Sequence, residues 1–137
     1  MIKKHDGDTK MGYIFHNENP KNILTGDCVI RAIALITGSS WQDIYNEICI
    51  QGAKAADMPS SNRVWISSLK ENGFKMKLLP ETCPGCYTIK DFCEDYPKGK
   101  YLVGTGSYLV AVISGDYYDT WDSGDLSPIF YFVLEDE

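Results

Sequence analysis

A cysteine at the start of an apolar run is the residue of this 137-residue chain with the clearest chemical use. Thr25-Gly26-Asp27 leads into Cys28-Val29-Ile30-Arg31-Ala32-Ile33-Ala34-Leu35-Ile36, which is apolar nearly all round, and Gly38 supplies a stop. That pattern predicts a buried helix with Cys28 in its first turn. Free N–H groups and the macrodipole at a helix N-terminus favour anions, so a thiol there can be drawn toward the nucleophilic thiolate. The same side chain serves equally as a small core hydrophobe, since free cysteines are among the most buried residues. What decides between the two is whether acid-base groups come near it.

The groups that could do so lie near the C-terminus. Val110-Ala111-Val112-Ile113, a tight turn, and Tyr117-Tyr118-Asp119-Thr120-Trp121-Asp122 place a carboxylate beside a tryptophan, one strand after a residue that could face Cys28. Asp119 has an alternative use, because an aspartate between strand and loop commonly caps or turns the backbone. Asp122-Ser123-Gly124-Asp125 reads as turn chemistry. The two histidines, His5 and His16, stand on the polar segment before Cys28; either could fold back over the cleft, and the plainer reading is a solvated side chain on a loose arm.

Other spacings carry less. Cys83-Pro84-Gly85-Cys86 has redox or zinc-knuckle spacing, and Cys93 could add a third thiolate, but a fourth ligand would have to come from Cys49 or a histidine. The Pro-Gly between them suggests a turn, so loop cysteines are expected, with no metal and no cofactor. Gly104-Thr105-Gly106-Ser107 resembles part of a phosphate loop without the following lysine and helix, and reads as a bulge or a close backbone approach.

These residues need elements to position them. Residues 1–20 read as an irregular polar arm ending in Asn17-Glu18-Asn19-Pro20, and 21–137 as one domain. A second, amphipathic helix is expected after a capping box of Ser39 with Gln42, or alternatively Ser40 with Asp43, with Trp41, Ile44, Tyr45 and Ile48 at helical spacing. A third begins near Ser60 to Asn62, buries Trp65 and Leu69 and ends at Gly73, and Phe74, Met76 and Leu78 then alternate as in a strand. Thr88 with Asp91 marks a short helix over 89–96, followed by strands at 101–103, 108–113, 117–121 and 129–133. Helices first and an antiparallel sheet second gives an α+β domain.

A formal charge of −6 and a pI near 4.8 argue against a partner held by phosphate contacts, so neither nucleic acid nor an anionic membrane is expected. Met1-Ile2-Lys3-Lys4 is followed by no apolar run, so neither a signal peptide nor an anchor is read there. Five cysteines, an odd count, fit reduced thiols in the cytoplasm.

Cys28 at a helix start, a strand opening at Tyr108, and Asp119-Thr120-Trp121 on the next strand together resemble the papain-like cysteine peptidases. That family orders its site as cysteine, then histidine on a strand, then Asn or Asp followed two residues later by Trp. More closely, Gly26-Asp27-Cys28-Val29 and Tyr118-Asp119-Thr120-Trp121-Asp122 are similar to a group of small bacterial and phage proteins of that superfamily, over about Asn22 to Trp121. The resemblance implies a papain-like fold, Cys28 as nucleophile, Asp119 as orienter, and Asn22, six positions before the cysteine, as the oxyanion-hole amide. It also implies a peptide or protein as substrate or partner. The chain departs from the pattern at Tyr108, which stands where the family has its catalytic histidine. A phenol titrating near 10 is a poor substitute for imidazole, so peptidase turnover is expected to be lost or reduced. The alternative is a non-catalytic protein-binding module, such as a phage protein that blocks a host system.

Overall fold

The computed structural model describes residues 12–80, 82 and 85–134. In chain order the elements are β1 (Tyr13–Phe15), α1 (Cys28–Thr37), α2 (Trp41–Ala55), α3 (Asn62–Glu71), β2 (Phe74–Leu78), α4 (Ile89–Asp95), β3 (Lys100–Gly104), β4 (Leu109–Ile113), β5 (Asp116–Asp119) and β6 (Phe130–Leu134). They form an α+β domain around one sheet ordered β1-β5-β4-β3-β6-β2.

The sheet is mixed, which corrects the antiparallel expectation. Strands β2 to β6 pair antiparallel, whereas β1 runs parallel to β5, with Tyr13 opposite Tyr117 and Phe15 opposite Asp119. The segment read as an irregular arm therefore supplies a strand. Its signal is weak because three residues carry no periodicity, and what holds them is backbone pairing plus the Tyr13 ring, 5.7 Å from that of Tyr117. Gly12 N–H also donates to Asp116 Oδ1 at 3.0 Å.

Strand β4 explains why Leu109-Val110-Ala111-Val112 reads as an unbroken apolar run: both of its faces are covered. Leu109 and Ala111 join the larger core with Ile33, Trp65 and Phe132, beneath α1, α2 and α3. Val110 and Val112 meet Ile89, Phe92 and Tyr117 on the α4 side.

Capping chemistry sets the helix boundaries. Gly38 ends α1 at φ +74, with its N–H on the Ala34 carbonyl, as the glycine stop predicts. Helix α2 is capped by Ser40, whose Oγ accepts from Asp43 N–H at 3.0 Å, so of the two caps offered by the sequence the Ser40 one is used. Ser39 N–H is instead turned toward Thr37 Oγ1. Thr88 and Asp91 form a full capping box, each side chain accepting from the other's N–H. A Cβ at Gly104 would collide with the Phe130 ring, which accounts for glycine in the 104–107 stretch as close packing.

Of the cysteines, Cys28, Cys49 and Cys93 are free and Cys86 is disulfide-bonded. That corrects the expectation of reduced thiols throughout. Cys83 lies outside the described residues, as does His5. No helix among the described residues is long and apolar enough to cross a membrane.

Candidate functional site

Arg31 is the one charged residue of α1, and it is 8 % exposed. A guanidinium buried on an otherwise apolar helix demands partners, and it has two carboxylates. Its Nε donates to Asp27 Oδ1 at 2.7 Å, one helical turn earlier, and an Nη donates to Asp119 Oδ1 at 3.0 Å across on β5. The second oxygen of Asp27 accepts from Asn19 Nδ2 at 3.1 Å and from Trp41 Nε1 at 2.9 Å. Burial pushes the Asp27 carboxyl up, but these donors outweigh it and hold the group below its ordinary value. The Asp27 side chain is thus spent on Arg31 and does not cap α1.

Asp119, 2 % exposed, is the hub on the sheet side. It accepts from Arg31, from Thr120 N–H at 2.7 Å and from Ser123 Oγ at 2.8 Å. The Tyr108 hydroxyl stands 2.9 Å from both of its oxygens. Since an ionised carboxylate only accepts, Tyr108 donates to Asp119, while its own oxygen accepts from Trp121 Nε1 at 2.6 Å. Burial first, then the Asp119 charge and hydrogen bond, push the phenol up to about 12. Tyr108 is therefore fixed as a proton donor and has no capacity to take a proton from a thiol near neutral pH.

Cys28 opens α1 beside this array. Its thiol meets the backbone N–H groups of Leu109, next to Tyr108, and of Val29. The net effect on the thiol is opposite to that expected from a helix start: burial raises it more than those N–H groups and Arg31 lower it, and Asp119 adds to the rise. Cys28 rests as a thiol.

Two spaces adjoin it. The larger, about 290 Å³, is lined by Val29, Tyr45, Ile48, Cys49, Trp65 and Ser107 among others. The smaller, about 10 Å³, also touches His16, Glu18, Arg31 and Tyr118. Neither Tyr108 nor Asp119 lines these spaces; Cys28 is linked to those two residues through its contact with the Leu109 N–H and through the Asp119 charge.

Asn22 is not brought there. It is exposed at φ +57 on the loop before α1, with its N–H on the Asn19 carbonyl, and it lines neither space beside Cys28. The buried amide of that loop is Asn19, which orients Asp27. Sequence reading missed Asn19, Arg31 and Ser123. Arg31 carried a usable signal, a lone cation four residues after Asp27 within an apolar helix; Ser123 was hidden in turn-like composition. His16 is also placed otherwise than on a loose arm, since its N–H donates to the Asp119 carbonyl at 3.0 Å.

Among the described residues no cluster of His, Cys, Asp and Glu could hold a metal ion. No family model matches the chain, and neither a curated protein nor a solved structure matches it.

Proposed function

We propose that this chain is a papain-like thiol hydrolase homologue that receives a peptide or protein segment beside Cys28, with turnover lost or reduced because the base position is Tyr108. The observation that supports this reading is the order of groups at the site. A helix-start thiol meets the N–H of Leu109 at the start of β4, the preceding Tyr108 is hydrogen-bonded to Asp119, and Trp121 Nε1 donates to the Tyr108 hydroxyl. In the family pattern an imidazole would stand at Tyr108, take the thiol proton and later deliver it to the leaving amine. Here the hydroxyl faces Asp119 as a donor, so that route has no proton acceptor. The apolar space of about 290 Å³ is of a size to take one or two apolar side chains of a bound segment.

Tyr108→His tests the proposal. Hydrolysis of a fluorogenic peptide library by the unmodified chain is expected to be weak, and the histidine variant is expected to exceed it by about 10² or more, the usual contribution of a general base. Cys28→Ala serves as the blank. A folded Tyr108→His protein that neither hydrolyses peptides nor labels at Cys28 with a peptidyl epoxide would sink the reading.

The second reading, a binding module without catalysis, has its own support: the thiol is held protonated, and Ile23 and Leu24 on the loop before Cys28 are 54 % and 75 % exposed. Peptide binding that survives Cys28→Ala unchanged, with no turnover in Tyr108→His, is its signature.

A further inference from the structure

The smaller space beside Cys28 has room for about one water, and His16 forms part of its wall. His16 does not swing freely: its backbone N–H is bonded to Asp119, which continues the β1–β5 pairing by one residue. Its ring packs edge-on against Tyr118 at 6.2 Å, and Nε2 lies 2.8 Å from Glu18 Oε2. A carboxylate is acceptor-only, so the contact puts the imidazole hydrogen on Nε2 and leaves the lone pair on Nδ1. That is the tautomer a base needs, set by a carboxylate two residues along the same segment.

We propose that His16, oriented by Glu18, is the proton acceptor for the Cys28 thiol through a single water in the space they share. The proposal rests on Cys28 being a nucleophile and supplies the base that Tyr108 cannot. The Sγ proton passes to the water, which gives one of its own to Nδ1, leaving thiolate and imidazolium. The thiolate then forms a bond to an acyl carbon as the C–N bond breaks. The imidazolium returns its proton through the same path to the departing amine, and a second water hydrolyses the thioester to acid and thiol. The charged groups around the pair are Glu18, Asp119 and Arg31: Arg31 favours the thiolate, Asp119 the thiol, and Arg31 is itself matched by Asp27 and Asp119. Tyr118 contributes its ring edge. In this assignment His16 is catalytic and Glu18 is a positioning residue.

The test is the rate of Cys28 alkylation by iodoacetamide between about pH 5.5 and 9.5 in the full chain, resolved by peptide mass spectrometry. In that reaction the S–C bond forms and iodide leaves. The unmodified chain is expected to show a shoulder of reactivity on the neutral side of the thiol's own titration. His16→Gln should remove it, lowering the rate at pH 7 about tenfold or more, with Glu18→Gln intermediate and melting temperatures little changed. If His16→Gln proves unstable, Glu18→Gln alone must still flatten the shoulder. Superimposable profiles with Cys28 still reactive would overturn the role of His16 and leave the thiol-hydrolase reading intact. A Cys28 no more reactive than the buried Cys93 in every variant would overturn both.

Discussion

At the scale of single residues the site is a chain of donors and acceptors that runs from the buried Asp119 out to the half-exposed Trp121, and its weakest point is where one member serves two others. Tyr108→Phe removes one hydroxyl but leaves Asp119 short of a donor and Trp121 Nε1 without its acceptor. A loss of about 1–3 kcal/mol in urea unfolding is expected, because the deleted bond matters less than the groups left unmatched. Arg31→Met is more severe, since two buried carboxylates, Asp27 and Asp119, lose their common cation. About 3–5 kcal/mol is expected, and adding Asp119→Asn to the same chain should recover part of it; strict additivity of the two changes would contradict the coupling. The residues legible in the sequence were those marked by a change of pattern: Cys28 where an apolar run begins, Asp119 where a strand ends. Asn22 failed because counting back along the chain says nothing about where a loop side chain points. The place of His16 stayed open because a short strand within a polar segment leaves no period to read.

At the scale of elements, local chemistry fixed boundaries better than it fixed neighbours. Glycine and capping residues told where α1, α2 and α4 begin or end, since those signals act within a few residues. The parallel docking of β1 on β5 is a long-range event carried by backbone bonds that any sequence can make, and so it was not foreseen. The α2 start is a case where two adjacent serines compete. Ser40 stands at φ −75 and ψ 156 and bonds to Asp43 N–H, whereas the Ser39 backbone follows the left-handed turn at Gly38. Ser40→Ala should therefore destabilise the protein by about 1 kcal/mol and Ser39→Ala by a few tenths at most, as read from denaturant midpoints at constant m. Equal effects would mean that the cap is shared or shifted.

At the scale of the whole molecule the Asp27–Arg31–Asp119 array is the joint between layers. Through Asp27 it holds Asn19 before α1 and Trp41 at the start of α2, and through Asp119 it holds β5 and the 120–123 turn. Two opposing pH effects follow. As pH falls from 7 toward the pI near 4.8, the net charge of −6 is neutralised, and relief of self-repulsion should make the fold slightly more stable. Asp27 works the other way and at lower pH. Its carboxyl is held below the ordinary value of 3.8 in the folded chain, so the unfolded chain binds a proton first. The stability it contributes is complete above that ordinary value and is lost as pH falls through the folded one. The urea midpoint is therefore expected to rise slightly from pH 7 to about 5 and to drop below about pH 4. In Asp27→Asn the acid limb should be shallower, while the rise between pH 7 and 5 persists. An acid limb with the same slope in both proteins would assign the loss to net charge alone and remove Asp27 from the account of how the layers hold together.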